Sequence, residues 1–64
     1  MHSMLNERLK ETGVTKKELA EKTGYGRTSI WKWSTDKGIR AMSIGTAEIV
    51  AGAIGCKPKD LFED

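Results

Sequence analysis

Apolar residues recur along most of the chain at intervals of three and four, which is the spacing of amphipathic helices. Met4, Leu5 and Leu9 form the first such stripe, and Gly13 follows it as a stop signal. No stretch alternates apolar and polar residues for long enough to predict a β-strand. The pattern therefore predicts an all-α chain built from short helices.

The second predicted helix has a signal at each end. Thr15 is a favourable N-cap, and Glu18 follows it at the spacing of a capping box. A helix over residues 16–23 follows, and Gly24 stands where a left-handed residue commonly ends a helix.

The third helix is expected to begin near Gly26, because Ile30 and Trp33 lie three residues apart. The stretch DKG at residues 36–38 is expected to end it. So short a connection between the second and third helices requires a steep crossing of about 90–120°, as in a helix-turn-helix.

The fourth predicted helix begins after Ser43 and ends at Gly55. Its apolar stripe consists of Ala47, Val50, Ala51 and Ile54. Pro58 suits the first turn of a fifth helix, after which Leu61 and Phe62 should fold onto the core.

The size of the chain argues against catalysis. Its 64 residues are expected to form one domain, residues 1–64, which buries only about 60% of its unfolded surface. Such a domain hardly encloses a substrate pocket of about 300 Å³, and one histidine with scattered carboxylates assembles no catalytic group. We therefore expect no enzyme activity and no cofactor, metal or small-molecule ligand. We also expect no membrane partner, since no apolar run approaches 18 residues.

His2 is expected in a frayed tail, and Cys56 is expected to be a buried, inert thiol.

The net charge of +2 is unevenly distributed. Residues 24–42 carry four basic side chains against one acidic side chain, which gives +3, whereas residues 43–64 carry two against four, which gives −2. A basic centre indicates a polyanionic partner, although an ordinary solvated surface has the same composition.

The stretch TKKELAEKTGYGRTSIWKW, residues 15–33, resembles the helix-turn-helix of the phage Cro and repressor family, also called the XRE family. Its Leu19-Ala20, Gly24 and Ile30 stand at the diagnostic spacing, and AGAIGCKPKDLF at residues 51–62 resembles the end of that fold. The resemblance implies a compact five-helix lambda-repressor-like domain with the helix-turn-helix at helices 2 and 3.

Two stretches, one of a single residue and one of two residues, depart from the family pattern. Lys16 stands where the family usually has glutamine, and Thr35-Asp36 stands where Asn-Gly is common.

The resemblance implies that the outward face of helix 3 enters the DNA major groove. The residues that match its base readers are Arg27, Thr28 and Lys32, and Trp31 shares their side. Arginine and lysine donate to the guanine edge, and threonine offers a hydroxyl or a methyl group. Arg27 could instead be a plain exposed residue, and Lys32 could touch only phosphate.

The two tryptophans of this helix should differ in role. At about 100° per residue, Trp31 lies roughly 160° from Trp33, so that Trp33 is expected in the core. Trp31 would pack against sugar or a thymine methyl group, or else lie half-buried against a neighbouring loop.

Phosphate contacts are expected around the start of helix 2, where free N–H groups and the helix dipole favour anions. Thr15, Lys16 and Lys17 lie there, and the further candidates are Ser29, Thr35, Lys37 and Arg40. For Lys37 and Arg40 a solvated loop charge is an equal alternative.

These features predict a sequence-specific regulator of transcription that binds double-stranded DNA, most simply a Cro-like repressor. A palindromic operator would require a homodimer, at least on DNA, and Ile49 and Ala53 in the helix 4–5 region are its candidate surface. The expected location is on DNA in the cytoplasm of a bacterial or phage-infected cell. An antitoxin that represses its own operon, or a protein-binding module that retains the helix-turn-helix as a scaffold, are the alternatives.

Overall fold

Side-chain caps and left-handed glycines set most helix boundaries in the computed structural model, which describes residues 1–63. The helices are α1 (Leu5–Thr12), α2 (Lys16–Thr23), α3 (Arg27–Trp33), α4 (Asp36–Ile39), α5 (Ile44–Ile54) and a 3₁₀ helix at Pro58–Leu61. The capping box at α2 is confirmed, since the Glu18 N–H donates to Thr15 Oγ1 over 3.1 Å. Gly24 ends α2 with φ 79°, a conformation that a side chain disfavours.

The expectation that the chain contains no strand is wrong, although the strands that form are very short. Two-residue strands, β1 (His2–Ser3) and β2 (Phe62–Glu63), pair antiparallel. The Met4 N–H extends this pairing by donating to the Leu61 carbonyl over 2.8 Å. Strands this short contain too few residues to produce a period-two pattern.

Both chain ends therefore differ from the sequence expectations. His2 is not frayed, because its Nδ1 lies 3.1 Å from Asp36 Oδ2. Leu61 is fully buried as expected, but Phe62 is 39% exposed because it belongs to β2 and does not fold onto the core.

The third helix ends earlier than predicted, at Trp33, and a separate helix begins where its end was expected. Thr35 explains the break. Its hydroxyl donates to the Lys32 carbonyl over 2.7 Å and accepts from the Gly38 N–H over 2.9 Å, so that it ends α3 and N-caps α4.

Gly38 is buried where α4 meets the end of α3. A Cβ at this position would overlap the carbonyl oxygen of Lys32 and would lie 2.6 Å from the carbonyl carbon. Only glycine allows the two backbones this approach.

The core lies between α5 and the helix pair α2–α3. Helix α5 contacts α1, α2 and the 3₁₀ helix. Its buried members are Leu5, Leu9, Leu19, Ile30, Ala47, Val50, Ala51, Ile54 and Leu61. Trp33 packs against this core but is only half-buried. Cys56 also packs against it but is only partly buried, in contrast to the buried thiol expected, and its partial burial raises the pKa of the thiol. None of the helices within residues 1–63 has the length and hydrophobicity that a membrane span requires.

Candidate nucleic-acid interface

Helices α2 and α3 are joined by three residues, so that their relative orientation is fixed within a short turn. Tyr25 in this turn packs edge-to-face against Trp33, with ring centroids 5.2 Å apart and ring planes at 86°. The inner side of α3 is held by this aromatic pair and by the fully buried Ile30. Its opposite side is consequently presented to solvent.

The outward side of α3 brings together the four residues predicted to read bases. Arg27, Thr28 and Lys32 are exposed, and Trp31 is 60% exposed. The helix contains no acidic residue, and the two ion pairs found among residues 1–63 involve none of its side chains. The cationic groups of this face are therefore available to an external anion or to base edges.

Trp31 makes a contact that the sequence did not indicate. The Nζ atom of Lys16 lies over the Trp31 ring, 3.5 Å from its centroid. The ring thus packs against the first residue of α2, and its 60% exposure does not agree with the half-buried alternative. No local spacing could have revealed this pair, because the contact depends on how steeply α2 and α3 cross.

The contact between Lys16 and Trp31 also places the start of α2 beside the outward side of α3. The Thr15 hydroxyl is occupied by the capping box, since it accepts from the Glu18 N–H. Lys16 is half-buried and Lys17 is exposed. The backbone N–H groups of the first turn of a helix have no carbonyl partner within that helix, and they are the groups that commonly receive phosphate.

The remaining predicted phosphate contacts are more dispersed. Ser29 is half-buried on α3, and Thr35 uses its hydroxyl to join α3 to α4. Lys37 and Arg40 are exposed on α4 and at its C-cap, where they border an open pocket beside Met1.

The one acidic side chain of the basic segment is occupied by the N-terminal strand. Asp36 accepts from the Ser3 N–H over 2.8 Å and lies 3.1 Å from His2 Nδ1. The Ser3 N–H, followed by the His2 contact, holds the pKa of the Asp36 carboxyl below its ordinary value. This carboxylate is therefore directed toward β1. More than thirty positions separate the partners, so that sequence spacing offered no signal for them.

Comparison with known proteins agrees with this geometry. The family model that describes the Cro/C1-type HTH DNA-binding domain matches residues 4–64, which is nearly the whole chain. Searches of curated proteins and of solved structures give no significant match. The match confirms the predicted helix-turn-helix family, and it confirms double-stranded DNA as the partner. The chain therefore belongs to the family of Cro/C1-type HTH DNA-binding domains.

Proposed function

We propose that residues 1–64 act as a single DNA-binding domain that represses transcription by inserting α3 into the major groove of a palindromic operator. The observation that carries this proposal is the outward side of α3, where Arg27, Thr28, Trp31 and Lys32 lie exposed on a helix without an acidic residue. We call these four residues the reading face. The protein would act by covering a promoter in a bacterial or phage-infected cell, without catalysis.

The reading face supplies the chemistry that discriminates base pairs. An arginine at the first position of α3 can donate two hydrogen bonds to O6 and N7 of guanine, which discriminates by about 1–3 kcal/mol. The Thr28 hydroxyl and the Lys32 ammonium add further donors on the same helix.

A second set of residues is proposed to hold the phosphate backbone without reading sequence. It comprises Lys16, Lys17, Ser29, Lys37 and Arg40, together with Thr15 and Thr35, whose hydroxyls would first have to release the hydrogen bonds that they make within the fold. The start of α2 supports this role best, because it combines two lysines with N–H groups that have no helical partner.

A homodimer is proposed because one α3 reads only half of a palindrome. Ile44 is 80% exposed and borders an apolar groove with Met42 and Phe62. Ile49 is 51% exposed, whereas Ala53 packs against the core. We propose the Ile44 groove as the self-complementary contact, since it joins several apolar side chains in one surface.

The dimer contact is tested by comparing Ile44→Asp with Ile49→Asp in sedimentation equilibrium and on DNA. A charge at residue 44 should yield monomers that bind only half-sites, and a charge at residue 49 should leave the dimer intact. The reverse result would place the contact around Ile49, in the middle of α5.

The function is tested by selecting duplexes from a random pool at about 150 mM salt, since specific contacts survive where phosphate attraction weakens. A palindromic consensus with guanine at fixed positions is expected. Survivors without a consensus, whose affinity vanishes as salt rises, would contradict an operator-binding repressor. They would favour a protein partner for this helix-turn-helix.

A further inference from the structure

The contact between Lys16 and Trp31 joins the two parts of the proposed interface. Lys16 is the first residue of α2, beside the N–H groups that are proposed to bind phosphate, and Trp31 belongs to the reading face. Lys16 Nζ lies 3.5 Å from the centre of the Trp31 ring. The neighbouring Lys17 is exposed, whereas Lys16 is half-buried. Of the two lysines, Lys16 is the one that the fold restrains.

The position of the ammonium limits what Trp31 can do. An indole ring contacts a thymine methyl group or a sugar through its face, and Lys16 occupies one of the two faces. A lysine ammonium has three N–H donors, so that contact with the ring leaves donors free for a second partner. An anionic phosphate oxygen is a stronger acceptor for them than a neutral ring.

We propose that Trp31 is a positioning residue, which holds the Lys16 ammonium toward a DNA phosphate at the start of α2, and that it does not read a base. The inference rests on the proposed function and removes Trp31 from its base-reading residues, which leaves Arg27, Thr28 and Lys32 in that role. A lysine that is already ordered loses less side-chain freedom when phosphate binds. The Trp31 ring on α3 therefore strengthens the phosphate contact that Lys16 makes from the start of α2.

The expected effects follow from the strength of such contacts. Loss of the ring should weaken DNA binding roughly two- to fivefold, the range of an exposed cation–π pair. Loss of the Lys16 charge should weaken binding further and should reduce the slope of log affinity against log salt by about one. Since phosphate carries no sequence information, neither change should alter the preferred operator.

The test is a double-mutant cycle of Trp31→Leu and Lys16→Gln, measured as duplex affinity across a salt series. Trp31→Leu should have no further effect in the Lys16→Gln background, because it would act only through that lysine. Trp31→Phe, which keeps a ring, should retain most of the affinity. Lys17→Gln is the matched control, and its effect should add to that of Trp31→Leu.

The pair can also be observed in the free protein by NMR. The ring current of Trp31 should shift the Lys16 ε-methylene protons upfield in the wild type and in Trp31→Phe, and the shift should vanish in Trp31→Leu. Thermal unfolding confirms that each variant is folded, which is expected because Trp31 is largely exposed.

Two results would overturn the inference. A changed base preference at one operator position in Trp31→Leu would show that the ring reads DNA. Additive losses in the cycle would show that it does not act through Lys16. The same cycle on a duplex of unrelated sequence separates this failure from that of the proposed function, because phosphates are present in every duplex. Failure of the repressor proposal would instead appear as a wild type that selects no consensus.

Discussion

The two tryptophans of α3 are separated by one lysine, yet they lie on opposite sides of the helix. Trp33 packs edge-on against Tyr25 and contacts the core, whereas Trp31 is 60% exposed and carries the Lys16 ammonium on its ring. A difference of roughly 160° in helical phase separates these environments. The comparison teaches that the inner side of α3 stabilises the fold while the outer side is free to bind. Substitutions on the inner side should therefore change the stability of the fold, and substitutions on the outer side should change DNA binding.

The largest effect is expected where α4 meets the inner end of α3. Gly38→Ala places a methyl group against the Lys32 backbone, which cannot move as a side chain can. We expect a loss of about 3 kcal/mol or more in the free energy of unfolding, enough to unfold much of so small a domain. Urea denaturation of the purified variant measures it.

The matched control for this substitution is Gly52→Ala. Gly52 is exposed within α5, and a methyl group there meets no atom within 4 Å. Alanine in a helix interior should stabilise the protein by up to about 1 kcal/mol. Equal effects of the two substitutions would contradict the close approach at Gly38.

The next effect compares the tryptophans directly. Trp33→Ala removes the partner of Tyr25 and a part of the core wall, so that a loss of about 2–3 kcal/mol in unfolding free energy is expected. Trp31→Ala should cost less than about 1 kcal/mol, since it removes only an exposed cation–π contact. Thermal melts of both variants under one buffer test the contrast, and similar melting temperatures would remove the distinction between the two sides.

On the outer side, Arg27→Ala should weaken operator binding by about 1–3 kcal/mol and abolish the preference for one guanine. Its stability should be nearly unchanged, because Arg27 is exposed and makes no ion pair with any residue described by the structure. Fluorescence anisotropy measures the affinity and the base preference when the operator is compared with duplexes in which that guanine is substituted. Lys59→Ala, which removes an exposed cation from the acidic third of the chain, should bind like the wild type.

The smallest expected effect is the pH response of the contact between β1 and Asp36. The folded state lowers the pKa of this carboxyl from its ordinary value of 3.8, because the Ser3 N–H and then His2 favour the ionised form. The stabilisation is therefore complete above that value and is lost as the pH falls through the lower, folded pKa. The Ser3 amide resonance should titrate with a midpoint below 3.8, and it should show no such step in Asp36→Asn. A midpoint at or above 3.8 would contradict the contact.

Local signals account for most of the fold that could be predicted. Thr15, Ser43 and Gly24 mark helix ends through groups within four residues of one another, and these boundaries appear where the sequence placed them. The helix-turn-helix could be predicted for the same reason. Helical phase alone placed Lys32 about 160° from the buried Ile30, whereas the assignment of Arg27 to the outward face came from the family resemblance.

The features that could not be predicted depend on distant partners or on very short segments. Four residues of α4 are too few to show a helical period. The pairing of His2 with Glu63 joins opposite ends of the chain. The contact of Lys16 with Trp31 depends on the crossing of α2 and α3, which no spacing encodes.

The pairing of β1 with β2 has a consequence for protein engineering. Because His2 and Glu63 face each other across two antiparallel strands, their Cα atoms lie only about 5 Å apart. Polypeptide segments fused before β1 and after β2 would therefore leave the domain next to each other. The whole helical unit could therefore be inserted into an exposed loop of a host protein without forcing the two halves of the host apart.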